Sequence, residues 1–133
     1  MNLHEYQAKN LLKVYGITTP NHIVASTTKE AEIATSMLDG DTFAIKAQIH
    51  AGGRGKSGGV RIISSSSDAK EFTELWLGKN LITYQNKPFG QPVHRILVEE
   101  TVAINQELYF SLLVDRQTEQ IILICSPSGG TEI

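Results

Sequence analysis

Lys46 is a cation set in an apolar stretch, Phe43-Ala44-Ile45-Lys46-Ala47-Gln48-Ile49, and a glycine-rich segment follows it at once. Strand alternation puts Phe43, Ile45 and Ala47 on one face and Ala44, Lys46 and Gln48 on the other. Two chemistries fit such a lysine. It is a solvated residue on a half-exposed strand, or a point charge that reaches phosphate oxygens. The segment His50-Ala51-Gly52-Gly53-Arg54-Gly55-Lys56-Ser57-Gly58-Gly59 carries five glycines in ten positions. Glycines permit positive φ and let backbone N–H groups face an anion, and Arg54 and Lys56 add donors. The alternative is a flexible hairpin tip with solubilising charge. Against it stands the ordering entropy of five glycines, where a plain hairpin needs one or two. The segment holds no GxxxxGK[ST], and it does not open a helix as a dinucleotide fingerprint would.

A third group is acidic. Glu99, Glu100 and Glu107 lie in LVEETVAINQELYF, where the chain passes from one strand to another. Such a passage between units is a common ligand crevice, in which a carboxylate accepts from hydroxyl donors and an extended backbone pairs with a planar base edge. The competing reading is plain surface charge. His50 borders the loop, but one histidine carries no catalytic assignment. Cys125, inside a strand, reads as a small buried hydrophobe.

The elements that must hold these residues alternate. Asn2 is the expected cap of a first helix, with Glu5 completing a capping box and Gly16 ending it. Residues 22–25 form a short strand. A helix capped by Thr27 or Thr28 turns Ala31, Ile33, Ala34 and Met37 toward the core and stops at Asp39-Gly40. Residues 42–49 and 60–64 are strands around the glycine loop. A helix capped in the serine run 65–67 reaches about Leu77. Residues 81–84 are a strand and 86–92 a loop. Strands over 95–102, 107–115 and 120–126 follow, the last two forming a hairpin about a turn at 116–119.

The chain has 133 residues, 41% hydrophobic and 20% charged, with a formal net charge of -2. That composition supports a packed core and argues against disorder and against a general nucleic-acid binder. A single cysteine excludes an intrachain disulfide and a cysteine-based zinc site. No apolar run of signal-peptide or membrane-span type occurs, so the expected setting is a reducing, cytoplasmic one.

Taken together, the opening MNLHEYQAKNLL, the central KAQIHAGGRGKSGGV, ILVEE and ELYFSLLVDR resemble the β subunit of succinyl-CoA synthetase, collinearly from Met1 to Ile133. The resemblance implies an ATP-grasp fold of the α/β (α+β) class. Residues 20–103 would be one complete subdomain. Residues 1–19, the first helix, and 104–133 would belong to a second, incomplete subdomain. It implies a ligase that interconverts succinyl-CoA, phosphate and a nucleoside diphosphate with succinate, CoA and a nucleoside triphosphate. ATP or GTP and Mg2+ would be its cofactors, and a separate α subunit its partner. That α subunit carries the family's phosphohistidine, so His50 is not it.

By position, the resemblance gives Lys46 a phosphate contact and makes Gly53, Arg54 and Gly55 the phosphate loop. It sets Glu99 and the Val102 backbone beside ribose and base, turns Glu107 toward the nucleotide, and puts Pro20 where base preference is influenced. The family's magnesium ligands lie beyond Ile133. The final SPSGGTEI reads as a new element just starting, so the chain is expected to be a truncated piece, inactive alone, with open sheet edges that invite self-association. A related acid–CoA ligase, such as a malate-specific one, and a noncatalytic nucleotide-binding or assembly module are the other functions that fit.

Overall fold

The computed structural model describes residues 2–130. They form two compact units, divided between Val102 and Ala103. The first contains α1 (Glu5–Val14), β1 (His22–Ala25), α2 (Thr28–Met37), β2 (Phe43–Ala47), β3 (Val60–Ile63), α3 (Ser66–Trp76), β4 (Asn80–Leu81), β5 (Gln91–Pro92) and β6 (Ile96–Glu100). The second contains β7 (Tyr109–Asp115) and β8 (Gln120–Ser126).

The first unit is built on a four-stranded sheet in the order β1-β6-β2-β3, antiparallel throughout. Its buried face carries Phe43, Ile45 and Ala47 of β2 with Ile96 and Val98 of β6. Two helices close that core. From α2 come Ala31 and Ala34, and from α3 come Ala69 and Phe72, all fully buried. Small residues at α2's contact positions let it pack closely, so the larger Ile33 and Met37 are left outside. They are 43% and 69% exposed, not turned inward as the periodicity predicts.

Side-chain caps fix the helix starts. The Thr27 hydroxyl accepts from Glu30 N at 3.2 Å, and the Ser65 hydroxyl accepts from Asp68 N at 3.1 Å. In α1 the N-cap is His4, not Asn2, and the reciprocal bond comes from Gln7, whose side chain accepts from His4 N at 2.9 Å. Glu5 is thereby freed from a capping role. The predicted strand over 81–84 shrinks to Asn80–Leu81. Asn86 turns the chain instead: its side chain accepts from Thr83 N and donates to Leu81 O.

In this structure α1 belongs to the first unit. Its attachment is polar. Glu5 and Lys9 reach side chains of β2 and β6, and Tyr6 N donates to Gln48 Oε1 at 3.4 Å.

The second unit is a two-stranded hairpin, with Tyr109 opposite Ser126 and Asp115 opposite Gln120. Asp115 organises its turn by accepting from Gln117 N and the Thr118 hydroxyl. Phe110, Leu112, Val114, Ile121 and Leu123 all stand more than half exposed. Cys125 is exposed too, contrary to its reading as a buried residue, because a lone two-stranded ribbon has no layer to bury it.

Candidate functional site

Strand register brings the first pieces together. Ala44 pairs with Glu99 and Lys46 with Leu97. Lys46 and Glu99 are therefore diagonal neighbours on one face, within reach of long side chains, and the alanine opposite Glu99 leaves room between them. The ammonium of Lys46 donates to Glu99 Oε1 at 2.8 Å and to Glu5 Oε1 at 2.9 Å. Lys9, one turn along α1 from Glu5, bridges Glu5 at 3.0 Å and also contacts Glu99.

Arg54 enters from the glycine loop. Its Nη1 donates to Ala47 O at 2.9 Å and its Nη2 to Glu5 Oε2 at 2.5 Å. Glu5 thus receives Lys46 on one oxygen and Arg54 on the other. Lys9, Lys46 and Arg54 against Glu5 and Glu99 leave one excess positive charge. Burial disfavours the Glu5 anion, but the Lys46 ammonium and Arg54 guanidinium outweigh it and hold the carboxyl well below the usual carboxylate range. Burial likewise works against the Lys46 charge, and Glu5 and Glu99 overcome it, so the ammonium titrates above its ordinary range.

The loop is more rigid than a solvated tip. The N–H groups of Ser57 and Gly59 donate to Arg54 O, and Gly58 N donates to Gly55 O. Gln85 accepts from Gly52 N at 2.6 Å, Gln91 from His50 N at 2.8 Å, and the Trp76 indole donates to Gly58 O at 3.0 Å. Among the described residues, no partner is seen for the N–H groups of Gly53, Arg54 and Gly55, the three the sequence nominates for phosphate. Of the five glycines only Gly53 and Gly58 take positive φ, 77° and 75°. Gly59 is needed for a different reason, since a Cβ there would run into the buried Leu81.

Histidines border the loop. The His4 and His50 rings stack with centroids 3.9 Å apart. Burial and then the nearby His50, Arg54, His94 and Arg95 lower the His4 pKa. His4 Nδ1 is buried without a hydrogen-bond partner.

Lys46, Arg54 and Glu99 therefore converge, with Gly53 and Gly55 in the adjoining loop. Glu99 is not an open acceptor; it is 5% exposed and committed to two lysines. Pro20 and Val102 lie at one end of the β1/β6 pair, where Glu100 N donates to Asn21 O at 3.0 Å. Val102 is exposed. Glu107 belongs to the second unit, where its carbonyl accepts from Gly129 N at 2.9 Å. Glu5 and Lys9 went unnominated by the sequence; the i,i+4 Glu–Lys spacing was the available signal. A cavity of about 520 Å³ lined by Ile33, Asp41, Phe43 and Ser65 holds none of these residues.

Among the described residues no three His, Cys, Asp or Glu side chains are grouped to hold a metal ion. Both carboxylates at the site are already neutralised by lysine and arginine, so these residues do not fit a magnesium centre by themselves. Among the described residues no helix is long and apolar enough to cross a membrane.

A mixed α/β unit with an antiparallel sheet, a lysine on its second strand and a glycine loop beside it defines the class: residues 2–133 match the ATP-grasp domain, and the chain belongs to that family. Within the family it is 51% identical over 133 residues to the succinate–CoA ligase [ADP-forming] subunit beta of Methylobacillus flagellatus, covering all of this chain and 34% of that one. Its identity to the subunit of the same name from Serratia proteamaculans is 48%, with the same coverage. The chain thus spans about a third of the length of these curated relatives. Among solved structures, an ATP citrate lyase from Methanothrix soehngenii in complex with citrate and coenzyme A has a TM-score of 0.71 at 19% identity, with 96% of this chain and 32% of that one covered. For phosphoribosylamine–glycine ligase from Thermotoga maritima the TM-score is 0.61 at 23% identity, covering 90% and 27%. These two likenesses speak for the fold.

Proposed function

We propose that this chain is the nucleotide-binding portion of a succinate–CoA ligase β subunit, and that Lys46 and Arg54, with the Gly53–Gly55 backbone, receive the phosphates of ATP. One observation carries the reading: Lys46 Nζ and Arg54 Nη2 converge on a single carboxylate beside a glycine loop. Two cations from different elements that share one anion form a seat of phosphate type. The identity to relatives named ADP-forming supports ATP over GTP. Phosphoryl transfer rests on positioning and charge stabilisation, and a lysine, an arginine and unpartnered N–H groups supply both.

Glu99 takes part by fixing Lys46. The Val102 backbone lies beside ribose and base in this reading, Pro20 is near the base where its preference is influenced, and Glu107 is turned toward the nucleotide. Magnesium, when bound, would neutralise phosphate charge, and its ligands are assigned to the part of the relatives' length that this chain does not span. The same holds for succinate and CoA binding and for most of the contact with an α subunit. Residues 1–19 and 104–133 contribute to one second subdomain in the complete protein, which works in the cytoplasm. Exposed apolar residues on β7 and β8 favour self-association of the isolated chain.

The test uses the complete β subunit, assembled with its α partner, with ATP, succinate and CoA. ADP formation that requires both succinate and CoA, and that falls at least about a hundredfold in Lys46→Ala, is the expected result. Full activity in Lys46→Ala would remove the phosphate assignment. Turnover with malate in place of succinate would move the chain to a related acid–CoA ligase.

A further inference from the structure

Glu5 sits where the proposed function needs an anion to sit. Its two oxygens occupy one hydrogen-bond position on Lys46 and one on Arg54, at 2.9 and 2.5 Å. Neither cation is open on that side while the carboxylate is in place. Lys9 also bridges Glu5, at 3.0 Å, so a third cation holds it there. The carboxylate is carried by the first turn of α1, a helix with no buried residues. Its hold on the sheet is through side chains that can turn away, not through an apolar core. Glu99 differs on each count. It lies within a central strand, it is 5% exposed, and its pairs with Lys46 and Lys9 leave the Glu5 side of Lys46 unaffected.

We infer that Glu5 is an internal stand-in for phosphate: its carboxylate fills the seat between Lys46 and Arg54 in the empty protein, and an incoming nucleotide phosphate displaces it. This rests on the phosphate role of Lys46 and Arg54 proposed above, and adds a residue that opposes binding. The physical case is charge. With Glu5 in place the cluster holds three cations and two carboxylates; without its charge the excess rises from one to two. A polyphosphate entering beside an unmoved carboxylate would also meet like charge at contact distance, which disfavours sharing the seat. The occupied state has a use. It keeps Lys46 and Arg54 aligned and paired in the absence of nucleotide, so that binding exchanges one anion for another without leaving two half-buried cations alone.

A carboxylate that only supports the fold and one that competes with the ligand have opposite effects on affinity when neutralised. In Glu5→Gln the amide keeps the size and one acceptor but loses the charge. Calorimetry of this chain with ATP should show binding at least about tenfold tighter in Glu5→Gln than in the native chain. The gain should vanish when Lys46→Ala is added. A second measurement needs no variant: in the native chain, the Glu5 carboxyl carbon signal, followed by NMR, should move on titration with ATP and stay fixed with adenosine, which has no phosphate.

Equal or weaker ATP binding by a folded Glu5→Gln, with normal binding by the native chain, would overturn the displacement while leaving the phosphate seat standing. Should Glu5→Gln fail to fold, an unmoved Glu5 signal in the ATP-saturated native chain overturns it as well. Absence of ATP binding in every form would overturn both the displacement and the phosphate seat.

Discussion

Replacing Lys46 with methionine separates the structural role of this residue from its ligand role. Methionine keeps the stem that packs in β2 and deletes two ionic hydrogen bonds, at 2.8 Å to Glu99 and 2.9 Å to Glu5. At an effective dielectric of about 20, each pair has a gross attraction of roughly 6 kcal/mol. Most of that is repaid in desolvation and in repulsion from Lys9 and Arg54. Breaking a buried pair commonly costs about 3–5 kcal/mol because a charge is left alone. Here neither carboxylate is left alone. Glu99 keeps Lys9, and Glu5 keeps Lys9 and Arg54.

The expected loss is therefore smaller, about 2 kcal/mol, or roughly 8–16 °C in Tm for a unit of this size. Urea unfolding followed by circular dichroism would measure it, with the slope unchanged. Combining Lys46→Met with Glu99→Gln should show a coupling of about 1 kcal/mol in a double-mutant cycle. A loss under about 0.5 kcal/mol with zero coupling would mean that the lysine is in effect solvated, and the ion-pair argument would fail.

Two further expectations concern the loop and its border. Gly53→Ala should cost about 1–2 kcal/mol, since φ is 77° and an L side chain is strained there. A Cβ would also lie 2.5 Å from the Tyr84 ring, but Tyr84 is 62% exposed and can turn aside. Thermal melts of Gly53→Ala with and without Tyr84→Ala decide this, and full recovery in the double variant would refute the backbone explanation. Stability should also fall on acidification in two stages. The lowered His4 pKa means that the unfolded chain binds the proton more readily. Its contribution is complete above the ordinary 6.5 and is lost as pH drops through the folded value. Glu5 behaves alike from 4.5 downward. Urea midpoints between pH 8 and 4 should show the first stage, and His4→Gln should abolish it; a stage that survives in that variant would exclude His4 as its source.

What the sequence made legible follows the range of the forces involved. Strand alternation put Phe43, Ile45 and Ala47 together on one face, which the structure buries, because a period of two is a local property. The caps at Thr27 and Ser65 are equally local. The convergence of Arg54 on the Lys46 strand was half legible. Glycines announce a loop that backbone must fill tightly, and Ala47 N donating to Gly59 O at 2.8 Å closes it. Ile33 and Met37 misled because a stripe shows only that a helix has an apolar side. How closely it docks was decided by Ala31 and Ala34 against the sheet.

Glu5 was hidden for a more instructive reason. Its local signal, a polar residue three after Asn2, pointed to a cap, and the cap moved to His4. Once not needed there, the carboxylate was free to pair across 41 residues with Lys46 and 49 with Arg54. No spacing rule encodes such a partner. It emerges only when a half-buried cation on a strand must be neutralised by whichever anion the fold brings near. That need is itself readable. A lysine flanked by Ile45 and Ala47, both fully buried, demands anionic company on its own face, and Glu99 alone, shared with Lys9, does not meet it. The demand left over is for one more anion, which Glu5 meets in the empty protein and which a phosphate would meet in the occupied one.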